Sequence, residues 1–350
     1  MSNNSEQSIS SQSAKPRIEY IDTAKGICIL LVVFLHSGLF ADSLQFLALL
    51  RMPFYFTLSG LFFKDYGGFL PTVIKKINKI IIPFFFFYTG SYIIFVALRT
   101  SLDIDINTGF FDFFTNPNAV FSVNIALWFL FALFWANTIF FILHRYCHNI
   151  ISLGVVSCAL AVAALILFSG DYMLPLFIDS ALVAMPFFFL GYCLRNTSFL
   201  YPNRFDRFSW LSISLLIAIA VGAYFLGESP VITLSSIKID GSPIFYFIGA
   251  FAIVIATILL CKKIGPLPFL KYIGQYSLII LGVHCSLFHI SRNILQSFGL
   301  KDDILHDAIT FIIVIAISVL LIAPLKRYFP RFTARRDLFS WNTNKKSSQL

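Results

Sequence analysis

Lys25-Gly-Ile-Cys-Ile-Leu-Leu-Val-Val-Phe-Leu-His36-Ser-Gly-Leu-Phe40 is apolar almost throughout, and it reads as a membrane span with a histidine in its middle. An ionisable group at that depth costs at least ~2 kcal/mol unless something solvates it, which makes His36 a functional candidate. Eleven residues separate it from Lys25, close to three helical turns, so the two share one face about 16 Å apart. Low-dielectric surroundings disfavour an imidazolium, so a neutral ring able to take a proton from a hydroxyl is expected. The alternative is a packed histidine donating to a neighbouring carbonyl.

The rest of the chain repeats that pattern. Apolar runs of spanning length fall at 25–42, 44–63, 80–98, 122–143, 150–168, 174–194, 208–226, 243–261, 275–297 and 306–325. Of 350 residues, 58% are hydrophobic and 12% charged, with a mean hydropathy of +0.83. Soluble domains carry about 25% charge, so a globular protein with a large core is excluded. The expected fold is all-α: a polytopic integral membrane bundle of about ten transmembrane helices. With the N-terminus in the cytoplasm, 21 of the 26 Lys and Arg fall on the inner side and five on the outer. That split fixes both termini as cytoplasmic. The net charge of +9 then reflects orientation and contact with anionic membrane lipid. No basic stripe with a nucleic-acid fold signature accompanies it, so no nucleic-acid partner is expected.

The organisation expected is a polar cytoplasmic tail over 1–20, a membrane domain over 21–327 and a basic cytoplasmic tail over 328–350. The Ser/Asn/Gln-rich segment Met1–Ala14 lacks the pattern of a cleaved signal, so the first span is expected to remain as an anchor. The six cysteines lie in spans or on the inner side, which argues against disulfide stapling.

Several polar groups stand out against the apolar background. In Arg51-Met-Pro53-Phe-Tyr-Phe-Thr-Leu-Ser59-Gly60, Pro53 removes a helix hydrogen bond and Gly60 admits a close backbone or ligand. Arg51 either snorkels to the outer interface or orients His36 or a bound substrate. Lys75-Lys76-Ile-Asn-Lys79-Ile-Ile-Ile-Pro83 is either a topology signal or, with Lys25, a basic vestibule cradling the phosphates of a cytosolic cofactor. His284 lies near the middle of its run with Ser277 two turns below, as packing glue or as a second polar wall. His289 and Arg292 are candidates for acceptor binding, and Asp179 is expected to pair with a cation. His144-Arg-Tyr-Cys147-His148 has no recognised zinc spacing, and no metal is expected. In the outer loop, Asp103, Asp105 and Phe110-Phe111-Asp112-Phe113-Phe114 either bind a sugar or lie as an amphipathic turn at the interface.

The ordered set Ile21-Asp22, Lys25-X10-His36, Met52-Pro53-Phe54, Leu58-Ser59-Gly60, Lys76-X2-Lys79-X3-Pro83, Leu127-Trp128-Phe129-Leu130, Ser180-Ala-Leu-Val, Pro186-Phe-Phe-Phe-Leu-Gly191-Tyr and Ile273-Gly-Gln-Tyr-Ser277 through His284 resembles the acyltransferase 3 family over residues 17–325. The blocks are most similar to its fucose 4-O-acetylase-like branch. The resemblance implies a multi-pass enzyme of the cell (inner) membrane. It would move an acetyl group from cytosolic acetyl-CoA to a hydroxyl of a cell-surface or lipid-linked carbohydrate. Its basic-X10-His signature falls on Lys25 and His36, and its paired basic motif on Lys76 and Lys79. The expected catalytic set is therefore His36, Lys25, Arg51 and His284, and the expected donor-binding set Lys25, Lys76 and Lys79. The rival is a multi-pass transporter of a saccharide or small anion, which would use the same buried polar groups as a permeation path.

Overall fold

In the computed structural model, which describes residues 18–40, 45–102, 109–168, 173–195, 209–300 and 303–340 (the side chains of 99–102 excepted), each of the ten apolar runs carries a helix. The tail through Arg17, the acidic pair Asp103 and Asp105, and residues 341–350 lie outside the described residues. Helix α1 (Glu19–His36) stops at the histidine itself, because Ser37 follows and Gly38 turns the chain at φ +84°. His36 is thus a helix terminus, not a mid-helix residue as hydropathy alone suggests. Helix α2 (Ala48–Leu61) contains Pro53. Helix α3 (Phe69–Lys76) runs through a widened π turn, Ile77–Ile81, into α4 (Ile82–Leu102). Pro83 has no N–H to give the Lys79 carbonyl, and the ladder widens over that gap.

Next come α5 (Asn118–Asn124), α6 (Trp128–Tyr146) and α7 (Ile150–Phe168). The run 174–194 breaks into α8 (Ile178–Val183) and α9 (Met185–Leu194), and the chain bends there by 55°. Before the break, Leu176 and Phe177 adopt left-handed φ of +59° and +57°. Asp179 accepts from the N–H groups of Leu174 (3.2 Å) and Ser180 (2.9 Å). The buried carboxylate therefore serves freed backbone donors, where the sequence led us to expect a cation. Helix α10 (Ser209–Leu226) leads to the only strands among the described residues, an antiparallel hairpin of β1 (Val231–Thr233) and β2 (Lys238–Asp240) with Ile232 opposite Ile239. Helices α11 (Pro243–Ile264), α12 (Pro268–Gln275), α13 (Ser277–Ser297) and α14 (Ile304–Tyr328) complete the order.

Seven helical segments are long and apolar enough to cross a membrane, or eight if the bent pair is one span. Helix α1 misses that standard because Glu19, Asp22 and Lys25 enter it. Helix α2 misses it because 14 residues span roughly 21 Å against a hydrocarbon core of about 30 Å. In α10 and α14 only 22% of the apolar window is buried. Helices apolar all round yet mostly uncovered need hydrocarbon around them.

Two tight crossings set the interior. Helix α2 meets α9 where a Cβ on Gly60 would lie 1.9 Å from the Phe188 carbonyl oxygen, and one on Gly191 would lie 1.8 Å from that of Thr57. Helix α12 lies across α1 in the same manner at Gly26 and Gly274. Cys28, Phe54, Leu58, Val254 and Ile258 close the core where α1, α2 and α11 converge. Helix α13 packs on α1, α4 and α14 and brings His284 to the end of α1.

Candidate active site

The end of α1 leaves backbone carbonyls without intrahelical partners, and a cation answers them. Arg292 donates through Nη2 to the carbonyls of His36 (3.2 Å) and Ser37 (2.6 Å), lies over Phe288, and pairs with Asp307 at 3.6 Å. This anchors the backbone of His36 and leaves its half-buried ring turned to α13, with its centroid 5.3 Å from the His284 ring and the planes 49° apart.

His284 is fully buried, and its Nδ1–H donates to the carbonyls of Ile280 (2.9 Å) and Leu281 (3.0 Å). That pair of acceptors sets the tautomer, so the lone pair is on Nε2. Nε2 lies 3.4 Å from Cys285 Sγ. The donor atoms of His36, His284 and Cys285 fall within 4.8 Å of one another, types that zinc accepts, yet no fourth protein ligand joins them among the described residues. Beyond His284, the charges within electrostatic reach of His36 include those of Arg51, buried on α2, and Arg292. The Arg51 charge also acts on Tyr246 of α11, whose buried hydroxyl has no hydrogen-bond partner among the described residues.

One turn from His284 begins a cavity of about 210 Å³, lined by Leu281, Ile29, Met52, Tyr55, Ser277 and Lys79 among others. Tyr55 donates to the Lys25 carbonyl at 3.1 Å, and Ser277 lines the same cavity. The same cavity is therefore lined both by Lys79 and by Leu281, whose carbonyl accepts from His284. Lys25 meets it through its carbonyl, while its ammonium pairs with Asp22 (3.5 Å) and lies over the Phe62 ring.

The structure thus brings together His36, His284 and Arg51 at one end of the site and Lys79 with Ser277 along the cavity. Lys76 is half-buried at the end of α3. Lys75, outside the expected donor-binding set, joins Lys79 at a shared carboxylate, Asp337. Cys285, Tyr246 and the Arg292 cap also lie outside what the sequence pointed to. A lone Arg eight residues after a His on a helix gives no sign in sequence that it caps a different helix.

The remaining candidates make contacts of their own. His144 bonds the Tyr192 hydroxyl at 2.9 Å through Nε2 and packs on Phe63. Phe113 is fully buried against Phe84, Tyr88 and Phe131, while Phe111 and Phe114 stay exposed. His289 stacks edge-on against Phe95.

Arg292→Gln removes two charge-assisted bonds to the His36 segment, each worth ~1.5 kcal/mol or more. We expect about tenfold slower turnover in membranes that contain normal amounts of protein. Asp307 pairs with Arg292 and makes no hydrogen bond to His36 itself, so Asp307→Asn should cost less. The order of the two rates checks the assignment; the reverse order would remove Arg292 from the site.

A family model described as "Acyltransferase domain" matches residues 18–323, which takes in every element named above except the last residues of α14. No curated protein and no solved structure matches the chain.

Proposed function

The chain belongs to this membrane acyltransferase family, and from that premise we propose that it is an O-acetyltransferase carrying acetyl from cytosolic acetyl-CoA to a carbohydrate hydroxyl on the far side of the cell membrane. In this reading α1 and α2 join the longer helices to make ten spans, with both termini in the cytoplasm. We place it in the fucose 4-O-acetylase-like branch on the motif blocks quoted above. The observation that carries the reading is one cavity lined by both Lys79 and Leu281, the residue whose carbonyl holds His284, with His36 against that ring. A soluble enzyme has no need of such a path, and a thioester arm does.

Lysines at the basic end, Lys25, Lys76 and Lys79, hold the donor phosphates as point charges. The pantetheine arm follows the apolar walls of Ile29, Met52 and Leu281. At the far end the acceptor oxygen attacks the thioester carbonyl carbon. A C–O bond forms, the C–S bond breaks, and the hydroxyl proton passes to His36 and then to the departing thiolate. Acetyl carried briefly on the His36 ring gives the same products in two steps. Arg51 and His284 orient that imidazole and stabilise the oxyanion.

Membranes containing the protein, supplied with acetyl-labelled CoA, are expected to label carbohydrate. Membranes without it should not. Uptake of sugar or anion with no transfer of label would replace this reading with transport.

A further inference from the structure

The segment after α14 has no part in the transfer chemistry, yet it does not hang free. Residues 329–340 double back across the basic end of the bundle. The N–H groups of Arg335 and Arg336 both donate to the Pro330 carbonyl at 2.9 Å, which closes the turn. Phe329 and Phe332 pack on Phe86, and the Arg335 guanidinium lies 4.0 Å from the Tyr276 ring centre while donating to the Gln275 carbonyl. The far end is held by one side chain. Asn78, fully buried in the π turn, accepts from the N–H groups of Leu338 (2.7 Å) and Phe339 (2.8 Å), and donates to the carbonyls of Phe339 (2.8 Å) and Ile74 (3.0 Å). Every hydrogen-bonding position of the amide is used, so the strap has a defined seat.

Between these anchors lies Asp337. It pairs with Lys75 and, at 3.1 Å, with Lys79; Lys79 also donates to the Ala334 carbonyl at 2.7 Å. The Lys75 ammonium, with Lys79 beside it, holds the Asp337 carboxyl below the usual carboxylate range, so it is charged at neutral pH. Lys79 is the same residue that lines the cavity. The strap therefore ties down the lysine at the mouth of the path with an anion of the protein's own.

We propose that Asp337 selects the donor: its carboxylate stands in for a phosphate at Lys75 and Lys79, and only a thioester bearing a polyanionic head displaces it and lifts the strap. This rests on the donor-binding role given above to the basic end. One carboxylate offers a single charge, whereas a nucleotide head offers several and more acceptor oxygens. A thioester without phosphates has to compete with an anion tethered at high effective concentration. Ion pairs about one-third exposed are weak enough for a polyanion to exchange.

The test uses the full-length protein in detergent, with CoA as the probe. Asp337→Asn is expected to bind CoA roughly three- to tenfold more tightly than the wild type, since the competitor has lost its charge. In the wild type, amide hydrogen exchange over 329–340 should speed up when CoA is added. Both results are required. If CoA binds the wild type but Asp337→Asn binds it equally or less tightly, or if CoA protects the strap, Asp337 merely positions the lysines. The proposal then fails while the transferase reading stands. If the wild type binds no CoA at all, both fall.

Discussion

Membranes from cells carrying His36→Ala are expected to acetylate acceptor carbohydrate at least ~10²-fold more slowly than wild type, and up to ~10⁴-fold, the range for removing a general base. The protein itself should remain at its normal level. The second half of that expectation comes from the geometry. His36 is the last residue of α1, and what the fold uses there is its carbonyl, held by Arg292, and not its ring. Alanine keeps the carbonyl and the helix end. The ring is partly exposed, and its loss leaves a gap at the His284 contact while the helix end keeps its backbone partners. A fold defect would lower protein and activity together. A chemical defect lowers activity alone, and transfer retained above a tenth of wild type would remove His36 from the chemistry. Measuring label transfer per unit of membrane protein separates these outcomes.

The sequence announced the helices far better than it announced their ends. Each apolar run became helix because hydropathy over some twenty residues is a property of the whole window. The end of α1 is different. Leu39 and Phe40 keep the window apolar past His36, while the stop is made locally by Ser37 and Gly38. Pro175 and Pro186 bracket a bent pair that hydropathy reads as one span, and only the backbone donors gathered by Asp179 reveal the break. Of the site, the imidazoles were legible because charge in hydrocarbon is conspicuous. The partners were not. Arg292 meets His36 across 256 residues, and Lys75 meets Asp337 across 262. Composition reads 328–350 as a solvated basic tail, because one aspartate among arginines leaves the net charge positive. Its docking onto Asn78 is a property of two distant segments together.

Gly191→Ala is expected to cost as much structurally as His36→Ala costs chemically. The new methyl would lie 1.8 Å from the Thr57 carbonyl oxygen and 2.7 Å from the Leu61 nitrogen. Both are backbone atoms of α2, and no rotamer change relieves the clash. Overpacking against movable side chains costs ~1–3 kcal/mol, so a clash of this depth with a helix backbone belongs at or above the upper end. The alternative is for α9 to move off α2, and α2 carries Arg51 near its start and the Ser59 hydroxyl that receives Asn137 Nδ2–H at 2.9 Å. Separation would therefore draw Arg51 away from His36 while the protein loses yield and melting temperature in mild detergent. Gly222→Ala on α10 is the control, since nothing lies within 4 Å of the position its methyl would take and alanine favours helix by ~1 kcal/mol. It should match or slightly exceed wild type in melting temperature. Equal melting of the two variants would mean that the α2–α9 contact is looser than the backbone spacing requires, and that the site's position rests on something other than this crossing.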